Sequence, residues 1–245
     1  MKAVLFGATR GMGRALARQM AERGDALCLL GRDKRSLELA VRDLEVRGAT
    51  ASIHSLECDL ERPAAFDGVL ERAQQLLGGL DAVVVTAGVF ATQQELERDR
   101  ALCEQMLRLN FVHTVLFCEA ARAQLLAGGG GTLCVFSSVA GDRARKPVVL
   151  YGAAKAGLSH YLEGLDHTYH AQGLVTLDVK PGFVRTALTA GLAAPPFAGE
   201  PDLVARTVLA AIERGAPVVY APRIWQLVML VIRWLPRAVM RRIGF

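Results

Sequence analysis

The feature that most constrains this chain is an alternation. Short apolar runs bounded by turn residues are separated by amphipathic stretches of helical length. Parallel strands need a crossover between them, and helices supply it, so the pattern predicts βαβ units and a parallel sheet covered on both faces. Runs near 2 to 6, 25 to 30, 50 to 56, 81 to 86, 132 to 137, 174 to 179 and 217 to 220 read as strands. Stretches near 11 to 23, 35 to 47, 63 to 77, 95 to 127 (broken), 150 to 172 and 201 to 214 read as helices. Right-handed crossovers then give an α/β fold with a doubly wound parallel sheet of about seven strands. At 245 residues a single domain accommodates all of this. The expected division is a nucleotide-binding catalytic body over 1–215, followed at 216–245 by the last strand and an apolar, basic helical tail of the same domain.

Charge separates body from tail. Of 29 basic residues, six arginines lie after Glu213 (Arg214, Arg223, Arg233, Arg237, Arg241 and Arg242), with no lysine and no acid among them. The remaining 23 basic residues face 24 acidic ones, so the body is near neutral and no nucleic-acid surface is expected. The five cysteines form no C-x-x-C pair, which suits a reducing cytosol, and Cys28 and Cys134 fall inside strands as small core hydrophobes. No signal peptide precedes the first strand, so a cytoplasmic body is expected.

Gly7-Ala8-Thr9-Arg10-Gly11-Met12-Gly13 follows the first strand and opens the first helix. Glycines there allow a tight turn and close approach of backbone to a pyrophosphate, which sits at the positive end of the helix dipole. The sheet is therefore expected to be of the Rossmann type, holding a dinucleotide. The second strand ends in Leu30-Gly31-Arg32, where an NAD-binding chain usually offers a carboxylate to the ribose. Arg32 and Arg10 offer two guanidinium groups for a 2′-phosphate instead, which favours NADPH over NAD. Asp33 weakens that preference, because it is placed to pair with Arg32 or to take the ribose itself.

Tyr151-Gly152-Ala153-Ala154-Lys155 puts a phenol and an ammonium on one helix face. A free tyrosine titrates near pH ~10, so a neighbouring cation is what lets it exchange protons near neutrality. Ser138 closes the preceding strand, at the end of the sheet where such folds bind ligands, and its hydroxyl is placed to meet a substrate carbonyl. A turn or helix-cap serine is the competing reading.

Taken together, Gly7 to Gly13, Asp59, Thr86-Ala87-Gly88, Asn110, Ser138, Tyr151 to Lys155 and Pro181 to Thr186 resemble the short-chain dehydrogenase/reductase family in motif, order and spacing. That resemblance covers essentially the whole chain. It implies a catalytic set of Asn110, Ser138, Tyr151 and Lys155, with Asn110 holding a helix kink and a water that relays protons through Lys155. The cofactor set it implies is Gly7, Thr9, Arg10, Gly11, Met12, Gly13, Arg32, Asp59, Leu60, Ala87, Gly88, Tyr151, Lys155, Pro181, Gly182, Val184 and Thr186. Asp59 would contact the adenine, and Pro181 to Thr186 would line the carboxamide. The family precedent also implies a homodimer or homotetramer. Two positions depart from the pattern: Phe6 stands where a small threonine is usual, and Thr86 where asparagine is.

Trp225 to Leu235 is apolar but too short for a bilayer, which needs about 20 residues. With two tryptophans and flanking arginines it reads either as an interfacial helix on an anionic membrane or as a helix packed on the body or a second subunit. Val218 to Arg242 and Ser138 to Leu165 also resemble the family's reductases of polyprenyl-phosphate-linked 2-keto-pentoses. The implied substrate is a lipid-linked ketone met at the inner face of the membrane, its phosphate near Arg143, Arg145 or Arg185. The alternative is a soluble carbonyl or 3-oxoacyl reductase that uses the tail for oligomerisation. A scaffold or redox sensor without turnover is disfavoured by the complete Ser, Tyr, Lys and Asn set. His167 and His170 share a helix face without a third ligand nearby, so no metal is expected.

Overall fold

Lys2–Phe6 form β1, and four of its five residues are buried because helices cover the sheet on both sides. The computed structural model describes residues 1–243. After β1 come α1 (Gly11–Glu22), β2 (Ala26–Gly31), α2 (Lys34–Val46), β3 (Ile53–Glu57), α3 (Phe66–Leu77) and β4 (Ala82–Val85). The stretch predicted as one broken helix is three, α4 (Gln93–Arg98), α5 (Arg100–Leu107) and α6 (Thr114–Ala127). Asp99 separates the first two by capping α5, its carboxylate accepting from the Leu102 N–H. A π-helical segment, Arg108–His113, joins the second to the third. The chain continues through β5 (Gly131–Phe136), α7 (Val149–Tyr169), β6 (Leu174–Pro181), α8 (Pro201–Glu213) and β7 (Val218–Ala221), and ends in α9 (Ile224–Trp234) and α10 (Arg237–Arg242).

All seven strands are parallel, in the order β3-β2-β1-β4-β5-β6-β7. The order reverses between β1 and β4. Their connections leave to opposite faces, which opens a crevice at the carboxyl ends of these strands. Strand side chains alternate between two cores. Ala3, Leu5, Leu27, Leu29 and Val84 meet Leu16 and Met20 of α1, Leu37 of α2 and Val208 of α8. Val4, Phe6, Cys28, Leu30 and Val83 meet Leu70 of α3, Phe117 of α6 and Leu158 of α7. Phe6 therefore belongs to the core, its ring 4.7 Å from that of Phe117. Cys28 and Cys134 are buried in strands, and burial pushes the Cys28 thiol up to about 12, so it stays protonated and inert.

The tail packs on the body by one face only. Trp225, Met229 and Ile232 lie one helical turn apart and form a small core with Val139. The opposite face leaves Leu227, Leu230, Val231 and Trp234 exposed, Trp234 at 83 %. The two tryptophans of this segment thus differ: Trp225 is 8 % exposed and packs on the body, whereas Trp234 faces outward. Among the described residues, no helix is long and apolar enough to cross a membrane.

Candidate active site

The crevice deepens into a cavity of about 770 Å³ whose walls come from both sequence halves. Ser138, Tyr151, Lys155 and Asn110 all line it, as do Met12, Gly88, Pro181, Gly182, Val184 and Thr186. Of the predicted cofactor residues, Gly7, Thr9, Arg10, Gly11 and Gly13 lie in the turn from β1 into α1, and Arg32 follows β2. Asp59 and Leu60 follow β3 at the sheet's edge. The Asp59 carboxylate accepts from the Glu61 N–H, and Leu60 is buried with its carbonyl against His113 Nδ1.

The glycine turn fits a pyrophosphate on its own geometry. A Cβ on Gly7 would stand 2.6 Å from Thr86 Oγ1, and one on Gly13 would stand 2.3 Å from the Gly7 carbonyl oxygen, so helix and strand meet at backbone distance. Gly11 has φ +53°, a conformation that favours glycine. No side chain caps the α1 N-terminus at Arg10, and its first turn carries no acid, which leaves orphan N–H groups to receive an anion. Thr86, the departure noted in the sequence, has a purpose here: its hydroxyl sits 3.1 Å from both the Phe6 and Gly7 carbonyl oxygens and ties the turn to β4. Ala87 donates its N–H to the same Phe6 carbonyl at 3.1 Å.

Asp33 is already engaged. Its carboxylate caps α2 by accepting from the Ser36 N–H at 2.8 Å, and this bond, with Arg10 and Arg35 nearby, holds it below the usual carboxylate range. Arg10 and Arg32 are both exposed, as is Arg35 in the first turn of α2, and Arg10 and Arg35 lie near the Asp33 carboxylate. A nicotinamide dinucleotide, when bound, would supply the hydride. The chain's own groups would hold it through the glycine turn, the end of β2, and Pro181 to Thr186.

Around the reacting position the proton donors converge. The Tyr151 phenol is pushed up to about 12 by burial, opposed by the nearby Ser138 hydroxyl. A protonated phenol is therefore the resting form, ready to donate. Lys155 Nζ lies 5.9 Å from the Tyr151 ring centroid and donates to the Phe136 carbonyl at 2.8 Å. Burial pulls its ammonium down to about 8, opposed by the Asp178 carboxylate, so it is largely charged at neutral pH and able to stabilise a phenolate. Ser138 also caps the short turn at Val139–Gly141, its oxygen accepting from the Ala140 N–H at 3.1 Å, which is the turn-cap role expected as the competing reading. Asn110, fully buried in the π-helical segment, clamps the backbone of Val89: it accepts from the N–H at 2.9 Å and donates to the carbonyl at 2.7 Å.

Several contributors were not singled out from the sequence. Asp142 accepts from Lys180 at 2.5 Å and from the Tyr220 hydroxyl at 2.7 Å, while Asp178 accepts from Ser137 and lies 3.5 Å from Lys180. This buried network braces the ends of β5, β6 and β7 beneath Ser138. Trp225 is another. A Cβ on Gly182 would overlap its indole, and Nε1 donates to the Phe197 carbonyl at 3.3 Å, so the tail holds the loop over 187–200 against the cavity. Pro195, Pro196 and Phe197 from that loop line the cavity, as do Val228 and Ile232 from α9. The i, i+4, i+7 spacing of Trp225, Met229 and Ile232 was the available signal for an inward face.

Comparison with known proteins places this arrangement. A family model described as short chain dehydrogenase matches residues 1–195. An uncharacterized oxidoreductase of Mycobacterium tuberculosis is 32% identical over 239 residues, spanning 98% of this chain and 95% of that protein. An uncharacterized oxidoreductase of Staphylococcus aureus is 29% identical over 188 residues, 77% of this chain and 80% of that one. The fold is shared with a short-chain type dehydrogenase/reductase from Mycobacterium ulcerans at a TM-score of 0.80 and 22% identity, over 89% of this chain and 86% of that one.

Proposed function

The chain belongs to the short chain dehydrogenase family of NAD(P)-dependent oxidoreductases, and on that premise we propose that it reduces a ketone to a secondary alcohol with NADPH. The observation that carries this reading is that Tyr151, Ser138 and Lys155 line one cavity, with Lys155 Nζ 5.9 Å from the Tyr151 ring centroid. Ser138 orients the carbonyl oxygen, Tyr151 Oη protonates it, and Lys155 stabilises the phenolate left behind. Asn110 keeps the segment after β4 in place by its grip on Val89. NADPH is favoured over NADH because Arg10 and Arg35 lie near Asp33, next to Arg32 in the chain, and the Asp33 carboxylate is spent as a helix cap. Replacing Arg10 and Arg32 by alanine should raise KM for NADPH roughly ten- to hundredfold with KM for NADH little changed. Steady-state kinetics with both cofactors on a panel of ketones measures this, and equal losses with both would discard the phosphate cradle.

For the substrate, the apolar walls supplied by Pro195, Phe197, Trp225, Val228 and Ile232 suit a ketone on a long apolar body. A polyprenyl-phosphate-linked 2-keto-pentose is the reading we favour, and a 3-oxoacyl or other soluble carbonyl compound the alternative. The outer face of α9, with Leu227, Leu230, Val231 and Trp234 exposed beside Arg223, Arg233 and Arg237, suits an anionic bilayer surface. Val112 and Leu116, also exposed, suit contact with a second copy in a homodimer or homotetramer. Because the inner face of α9 walls the cavity, the membrane test is made on the outer face alone. Leu230→Glu with Trp234→Glu should abolish co-flotation with vesicles containing anionic lipid while reduction of a water-soluble ketone continues. A wild-type chain that does not float would assign the face to subunit contact.

A further inference from the structure

The cavity carries one cation that the chemistry above does not use. Three arginines lie in segments beside it, and two are spent on the chain itself. Arg143 donates to the Leu235 carbonyl at 2.6 Å, and Arg185 pairs with Glu200 at 2.7 Å. Arg145 lines the cavity, and among the described residues its side chain makes no hydrogen bond or ion pair. Its Nε is fully shielded from solvent and without a partner. No aspartate or glutamate lines the cavity, and its other cation, Lys155, is tied to the Phe136 carbonyl beside Tyr151.

A guanidinium group held partly out of water with nothing to bond is costly, and removing it from water lowers its pKa, as burial does here. An orphaned buried donor of this kind calls for an explanation, and a ligand that completes it supplies one. The planar fork of arginine matches a carboxylate or a phosphate, and such charge-assisted bonds are the stronger ones. The same cavity has apolar walls, Pro147, Val148, Trp225 and Val228 among them.

We propose that Arg145 is the substrate's anion-binding residue, so that the ketone this chain reduces is an amphiphile carrying an oxyanion, carboxylate or phosphate, on an apolar body. The inference rests on the ketoreductase reading and narrows its substrate class. It predicts selectivity between charged and neutral forms of one molecule, which apolar walls alone do not give.

The test separates binding from turnover. Trp225 lines the cavity and Trp234 is the second of the chain's two tryptophans, so a Trp234→Phe background leaves indole fluorescence as a report from the site. Decanoate, decyl phosphate and decanol are titrated into that protein and into its Arg145→Met and Arg145→Lys versions. The unaltered site should bind an anionic probe roughly ten- to hundredfold more tightly than decanol. Arg145→Met should erase that preference and Arg145→Lys should retain part of it. The stronger of the two anionic probes identifies the oxyanion as carboxylate or phosphate. Equal affinity for all three probes, or an anion preference that survives Arg145→Met, overturns the proposal. Oxidation of NADPH with 9-oxodecanoate and with its methyl ester then tests the underlying reading: expected binding without turnover of either ketone would discard the reductase and leave the anion site standing.

Discussion

Tyr151→Phe should lower the rate of ketone reduction by about 10²- to 10⁴-fold, the contribution of a well-placed general acid, while leaving NADPH binding intact. The Tyr151 ring is half-buried, edge-on to Phe90 at 5.2 Å, so removing one oxygen should leave the packing unchanged. In the proposed reaction it delivers a proton as charge develops on the carbonyl oxygen, and phenylalanine has none to deliver. The wild-type pH profile should follow from the neighbouring lysine. Burial lowers the Lys155 pKa to about 8, so below that value the ammonium is charged and stabilises the phenolate. As pH rises through about 8 the charge is lost and the reduction rate should fall, with Tyr151, pushed up to about 12, still protonated in that range. Turnover of Tyr151→Phe at the wild-type rate would remove the phenol from the reaction. A flat profile between pH 7 and 9 would do the same for the ammonium's charge.

The second large effect is on stability. Lys180 is 12 % exposed and neutralises two carboxylates that are more deeply buried still, Asp142 at 2.5 Å and Asp178 at 3.5 Å. Replacing it with methionine would remove the ion-pair partner of Asp142 and leave Asp178 with only the Lys155 ammonium, and breaking a buried pair from one side typically costs about 3–5 kcal/mol. For a chain of this size that corresponds to a fall in Tm on the order of 10 °C. Thermal unfolding followed by circular dichroism measures it. The loss should also reach the site, because Asp178 holds Ser137, the residue next to Ser138. A Tm within about 1 °C of wild type, the scale of a neutral surface change, would show that the network is not needed to brace these strand ends.

The Gly7 to Gly13 turn, the alternation of strands with helices, and the Tyr151 and Lys155 spacing were legible in the sequence because each is a local rule. A pleated strand repeats every two residues and a helix every 3.6, and a tight turn needs glycine wherever its neighbours come to backbone distance. The seven strands and their parallel order follow from those rules with few alternatives. The breaks in the long helical stretch were harder to read. Asp99 ends one helix and caps the next, and the π-helical segment around Asn110 depends on that side chain gripping Val89, a partner 21 residues away.

Which groups are already spent was decided only by tertiary contact. Asp33 could have met a ribose until its carboxylate turned to the Ser36 N–H. Arg143, Arg145 and Arg185 are equivalent on the page of the sequence, and only the fold gives two of them partners and leaves the third facing the cavity. Trp225 and Trp234 look alike as ends of one apolar run, yet one walls the site and the other lies at the surface. The sequence determined the sheet, the glycine turn and the pairing of Tyr151 with Lys155 on one helix face because their geometry is written in short-range spacing. Pairing, burial and free valence belong to residues far apart in the chain, and those were set by packing.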